Sequence, residues 1–126
     1  MKLRIKGDSL RLRLTQSEVH RLTEEGAVED RVRFAPGQSL VYRVRRDAQA
    51  ERMGASYTEG LIDVWVPDGL AREWCGTDQV TLAHSQNLPG GELRIVVEKD
   101  FACLTPREGE DESDNFPHPL KGQGTC

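Results

Sequence analysis

Lysine and arginine side chains occur at alternate positions in four short segments within the first 46 residues of this 126-residue chain. Alternate residues of a β-strand project from the same face of a sheet, so each segment would carry a row of positive charge. Like charges that face each other across a sheet repel, and a face of this kind is suited to anionic groups. If the four strands are neighbours, the anion-binding candidates on one face are Lys2, Arg4, Lys6, Arg11, Arg13, Arg31, Arg33, Arg43 and Arg45.

The charge of the chain is divided unevenly along its length. Residues 1–46 hold 11 Lys and Arg against 6 Asp and Glu, whereas residues 47–126 hold 6 against 15, so net charges of +5 and −9 give −4. The mild total argues against a general nucleic-acid binder, and the basic strands lack the interleaved aromatic side chains that stack on bases. The expected partner is an anionic ligand, an acidic protein surface, or the chain's own acidic residues 108–114.

The C-terminal residues contain side chains that can bind a metal ion. The candidate ligands are Cys103, His118 and Cys126, with several carboxylates between them, and Cys and His favour zinc or related metals. Their spacing fits no zinc-finger interval, and the acidic run lacks the Gly and Glu of a calcium loop. A small metalloprotein or metalloenzyme is therefore the alternative function, and the sequence indicates no other cofactor.

No catalytic residue can be assigned from the sequence. His20 and Glu24 have the spacing of a surface ion pair on a helix, and no acid stands near His84 to build a catalytic triad. Hydrolysis of a phosphorylated small molecule on the basic face lacks an identifiable base. These features favour a non-enzymatic binding or interaction protein.

The fold that positions the anion-binding and metal-binding candidates is expected to be a small α+β domain. Period-2 alternation predicts two hairpins, a capping box at Thr15 and Glu18 begins the first helix, and Gly26 ends it. Pro67 begins a second short helix, on which Trp74 should be buried. The predicted fold is a mostly antiparallel sheet or small β-barrel of about seven strands with two short helices. The strands are expected at 2–6, 10–14, 27–35, 38–46, 61–66, 80–83 and 93–99, and a surface loop at 47–58.

Composition sets the domain boundaries and the compartment. Residues 1–104 form the expected domain, and residues 105–126 are acidic, rich in Pro and Gly and poor in aliphatic side chains, as is typical of a tail. Three widely spaced cysteines and no apparent signal or spanning segment lead us to expect a cytoplasmic protein that does not enter a membrane. Apolar residues also recur 52 positions apart, as at Leu14 and Val66, although four such matches do not establish a duplication.

Two stretches resemble a known family. Residues 1–19, MKLRIKGDSLRLRLTQSEV, and residues 97–119, VEKDFACLTPREGEDESDNFPHP, are similar to those of a family of small bacterial proteins of unknown function. The resemblance implies a bacterial, cytoplasmic, single-domain protein. It implies no activity, cofactor or site residue.

Overall fold

Eight strands and two helices form two four-stranded sheets in the computed structural model, which describes residues 1–101 and 113–117. The elements in chain order are β1 (Lys2–Ile5), β2 (Ser9–Leu14), α1 (Gln16–Glu25), β3 (Ala27–Ala35), β4 (Gln38–Asp47), β5 (Gly54–Thr58), β6 (Leu61–Pro67), α2 (Asp68–Gly76), β7 (Thr81–Leu88) and β8 (Gly91–Lys99).

Each sheet joins two antiparallel hairpins through a parallel pair of central strands. The first sheet has the order β1-β2-β8-β7 and the second β3-β4-β6-β5, with β2 parallel to β8 and β4 parallel to β6. The α+β class and the two helices are confirmed. Most strand pairs are antiparallel, as predicted, but the prediction of a single sheet or small barrel of about seven strands is wrong: eight strands form two mixed sheets. Local alternation reveals hairpins but does not reveal which distant hairpin lies alongside.

The chain repeats one hairpin–helix–hairpin unit. The first repeat runs from β1 to β4 and the second from β5 to β8. Each sheet takes one hairpin from each repeat, so exchanging the two repeats converts the strand order of the first sheet into that of the second. The recurrence at 52 positions follows this repeat, since Lys2 and Gly54 begin equivalent strands and Gln16 and Asp68 begin equivalent helices.

One hydrophobic core lies between the two sheets and the two helices. Trp74 of α2 is fully buried, as predicted, and its indole Nε1 donates a hydrogen bond to the Val80 carbonyl oxygen at 2.9 Å. Fully buried side chains from both sheets and from α1 pack in the same cluster, among them Leu12, Leu14, Leu22, Val28, Val44, Val64, Val66, Ile95 and Val97.

The predicted ends of α1 are confirmed. The Glu18 carboxylate accepts the backbone N–H of Thr15 at 2.9 Å, which completes the expected reach back to the helix start. Gly26 adopts the left-handed conformation with φ of 85°, and its N–H bonds the Leu22 carbonyl oxygen at 3.1 Å. The amine of Met1 also binds Glu18, at 2.5 Å, so this carboxylate ties the first strand to the helix.

The surface loop expected at 47–58 is wrong in its second half, where β5 forms. Met53 and Ala55 are buried, and the strand pairs with β6 along its length. The residues of β5 are small or polar and do not alternate, so the strand has no period-2 signal.

The last hairpin is also longer than expected, because its turn consists of Pro89-Gly90 alone and β7 and β8 extend to it. Among the described residues, no helix is both long and apolar enough to cross a membrane.

Candidate anion-binding face

Four cations form a compact cluster on the outward face of the first sheet. Lys2 lies directly opposite Arg13, and Arg4 directly opposite Arg11, in the register of β1 with β2. Paired residues of this kind lie about 5 Å apart, and residues two apart along a strand are separated by about 7 Å. The intervening Leu12 is fully buried, which places the four cations on the side away from the core. We call Lys2, Arg4, Arg11 and Arg13 the basic grid.

Two carboxylates partly neutralise the basic grid. Glu98 of β8 lies opposite Arg13 and accepts hydrogen bonds from Arg11 Nη1 at 2.9 Å and Arg13 Nε at 2.7 Å. The Lys2 ammonium lies 3.3 Å from the buried carboxylate of Asp100. The exposed side chain of Arg4 has no ion-pair or hydrogen-bond partner within residues 1–101 and 113–117. Among the described residues, two carboxylates thus contact a grid of four cations, and Arg4 is the grid member without such a contact.

Two shallow depressions meet at Arg11. One, of about 300 Å³, is lined by the basic grid and Leu3. The other, of about 370 Å³, lies across the neighbouring strands and includes Arg94 and Glu98. An anionic group bound above Arg11 would thus be reached by guanidinium groups from β1, β2 and β8.

The other five candidate cations do not lie in this grid. Lys6 follows β1 in the turn of the first hairpin and is exposed. The remaining four candidates, Arg31, Arg33, Arg43 and Arg45, belong to the second sheet. The condition that all four basic strands be neighbours is therefore not met, because the two hairpins are separated into different sheets.

The basic strand positions of β4 are neutralised within the second sheet. Asp63 accepts hydrogen bonds from Arg43 Nε at 3.0 Å and from Arg45 Nε at 3.1 Å. Arg45 also binds Asp47 at 3.0 Å, and its guanidinium lies 5.6 Å from the centre of the Trp65 ring. These contacts occupy the two arginines, so they offer less to a ligand than the basic grid does.

The internal repeat supplies a comparison for the basic grid. The hairpin β5–β6 has the same register as β1–β2, with Gly54 opposite Trp65 and Ser56 opposite Asp63. The counterparts of Lys2, Arg4, Arg11 and Arg13 are therefore Gly54, Ser56, Asp63 and Trp65. The same strand pair thus forms in the second repeat without any cation at the four positions.

The described part of the acidic C-terminal region lies at the start of α1. The backbone N–H of Gln16 donates to the Asp114 carbonyl oxygen at 3.0 Å, and the hydroxyl of Ser17 donates to the Asp114 carboxylate. The Ser17 hydroxyl, with a smaller contribution from Thr15, lowers the pKa of Asp114 below its ordinary value. The ring of Phe116 packs 5.6 Å from that of Phe101. Asp114 is the one acidic residue of 108–114 that the structure describes, and these hydrogen bonds join it to the helix.

The metal candidates Cys103, His118 and Cys126 lie outside the described residues. Within the described ranges, no group of three or more His, Cys, Asp and Glu side chains is placed to hold a metal ion. His20 and Glu24 are both exposed on α1.

The acids that form ion pairs with the arginines of the two sheets were not identified from the sequence. Glu98 and Asp63 each lie on a central strand, beside a basic strand that is distant in sequence. Period-2 alternation within β8 places Arg94 and Glu98 on one face, which was a usable signal. The strand that lies beside Glu98 is determined by the parallel pairing of β8 with β2, and no local sequence pattern specifies that pairing.

Residues 1–120 match a family of unknown function (DUF7009). No curated protein and no solved structure matches the chain. The matched range includes both repeats and the whole basic grid.

Proposed function

This chain belongs to a family of unknown function, and we propose that it is a non-enzymatic binding protein whose basic grid holds an anionic ligand. The observation that carries the proposal is the placement of two like-charged pairs directly across β1 and β2, Lys2 with Arg13 and Arg4 with Arg11. Like charges in this position destabilise a sheet. The grid is therefore explained better by a ligand than by folding.

The second repeat supports this reading as an internal comparison. Its hairpin has the same register but carries Gly54 opposite Trp65 and Ser56 opposite Asp63. The repeated unit thus has no structural need for cations at these positions. Glu98 offsets part of the repulsion at Arg11 and Arg13, whereas no described residue forms an ion pair with Arg4, which we assign to the ligand.

The geometry favours a compact ligand with at least two phosphate groups. Guanidinium forks bind phosphate oxygens in pairs, and the grid presents three of them beside one ammonium. The spacing of about 5 to 7 Å between grid positions suits neighbouring phosphates that each contact two cations. The shallow depression of about 300 Å³ would hold such a group at the surface.

Calorimetric titration of the full chain with inorganic tripolyphosphate tests the proposal. We expect binding at low salt that weakens steadily as salt is added. Arg4→Gln should weaken it roughly tenfold, since a hydrogen bond to a charged group is removed. Arg52→Gln is the matched control, because Arg52 is also an exposed cation but lies outside the basic grid, in the connection between β4 and β5.

Equal losses in the two variants would mean that only net charge matters, and the basic grid would not be the site. An absence of binding by tripolyphosphate, together with salt-sensitive binding of polyglutamate, would replace the phosphate ligand by an acidic protein surface.

A further inference from the structure

β3 is a long edge strand of the second sheet. It contains nine residues, pairs with β4 on one side, and is exposed from residue 29 to residue 35. The backbone N–H of Arg31 donates to the carboxylate of the preceding Asp30 at 2.9 Å, which places this amide on the open edge. A strand edge of this length is a template for pairing with another strand.

The other edges of the two sheets are shorter or covered. β1 has only four residues. The edges of β5 and β7 are linked, because the side-chain amide of Gln86 accepts the N–H of Ala55 at 2.8 Å and donates to its carbonyl oxygen at 3.0 Å. Among the described edge strands, β3 therefore has the longest row of backbone groups available for pairing with another strand.

The charges of β3 are complementary to themselves in the antiparallel direction. The acids Glu29 and Asp30 precede the bases Arg31 and Arg33, so the strand has no net charge. Two copies paired antiparallel about Arg31 would overlap over the full length Ala27–Ala35. This register places Glu29 of each copy directly opposite Arg33 of the other. Arg31 would face Arg31 of the other copy, with Glu29 and Arg33 of that copy at its two diagonal positions. The two Glu29–Arg33 pairs outnumber this single like-charged contact.

Apolar exposure on β3 points to the same partner. Val32 is 41% exposed and Phe34 is 71% exposed. A second β3 alongside would cover part of both side chains, which is the usual gain when a strand is added to a sheet edge. A parallel partner would instead oppose Glu29 to Glu29 and Arg33 to Arg33.

We propose that β3 is a self-association edge, at which two copies of this chain pair antiparallel and join their second sheets into one eight-stranded sheet. This surface lies on the other sheet from the basic grid, so it neither depends on the proposed ligand nor competes with it.

Sedimentation velocity of the full chain over a wide range of concentration tests the proposal. The unmodified protein should pass reversibly from monomer to dimer. Glu29→Arg and Arg33→Glu each place like charges opposite one another twice in the dimer, so each should weaken association roughly tenfold. An equimolar mixture of the two variants should restore it, because position 29 of each copy then again faces an opposite charge at position 33 of the other.

The exposed residues Glu51 and Arg52 provide matched controls. Glu51→Arg and Arg52→Glu change the net charge by the same amounts without altering β3, and they should leave association unchanged. Circular dichroism should show that all four variants are folded. A protein that stays monomeric at every concentration, or a dimer that the mixed variants fail to restore, would overturn the proposal.

Discussion

Gly54 and Trp65 are cross-strand partners, and the indole of Trp65 fills the space in which a side chain at position 54 would begin. A Cβ added to Gly54 would lie 2.3 Å from Cζ2 of that ring. The equivalent pair in the first repeat is Lys2 with Arg13. One repeat therefore closes this position with an aromatic ring over a glycine, whereas the other leaves two cations facing each other.

Gly54→Ala should destabilise the protein by about 1–3 kcal/mol, because the added methyl group overlaps the Trp65 ring and forces it to move. Urea unfolding gives the free-energy change. Gly69→Ala is the control, since a Cβ at this α2 position meets nothing within 4 Å. Alanine at position 69 should stabilise the protein by about 0.5–1 kcal/mol through the restricted unfolded chain and the better helix propensity. The same sign for both changes would contradict this account of Gly54.

Glu98→Gln should change stability and anion binding in opposite directions. The loss of the carboxylate removes the ion pairs to Arg11 and Arg13, which should cost about 1 kcal/mol of unfolding free energy. The same loss leaves both guanidinium groups available, so the affinity for tripolyphosphate should rise severalfold. Calorimetry and urea unfolding of the same sample measure the two effects, and a variant that loses both stability and affinity would argue against a ligand at the grid.

Asp114 should link stability to pH. Its pKa in the folded protein lies below the ordinary value, chiefly because the Ser17 hydroxyl bonds the carboxylate. A lowered pKa stabilises the fold above the unfolded value of about 3.9, and this contribution disappears as the pH falls through the folded value. Asp114→Asn should thus be less stable than the unmodified protein at neutral pH, and the difference should vanish in acid.

Carboxyl chemical shifts measured by NMR give the midpoint for Asp114 directly. Ser17→Ala should move that midpoint upward, because the principal hydrogen bond to the charged form is lost. An unchanged midpoint in Ser17→Ala would assign the low pKa to another cause.

Trp74→Ala should cost at least about 3 kcal/mol, because the side chain is fully buried and its removal leaves a cavity. Trp74→Phe should cost less, since it keeps most of the apolar volume and loses only part of the ring together with the hydrogen bond to the Val80 carbonyl oxygen. Thermal and urea unfolding of the two variants order these effects, and equal losses would place the main contribution in the hydrogen bond.

The sequence predicts those elements whose cause is local. The capping box at Thr15 and Glu18, the left-handed Gly26 and the buried Trp74 each follow from a residue pattern within one element, and each is confirmed. The strand β5 has no such pattern within its own residues. Its Gly54 is required by the Trp65 ring of the neighbouring strand β6, which leaves no space for a Cβ.

The candidate site was predictable only in part, for the same reason. Alternation identified the four cations of the basic grid and put them on one face. It did not separate them from the arginines of the second sheet, since that separation depends on β2 pairing with β8 and β4 pairing with β6. Glu98 can bind Arg11 only because β8 lies beside β2, a strand more than 80 residues earlier in the chain.

The exchange of hairpins between the repeats makes this chain a natural candidate for fragment complementation. A cut after residue 49, in the exposed connection between β4 and β5, would separate every central strand from its parallel partner. Neither fragment would retain a four-stranded sheet or a closed core. We expect fragments 1–49 and 50–126 to be unfolded when alone and to regain β-sheet circular dichroism when mixed at equal concentration, so that folding becomes an association reaction.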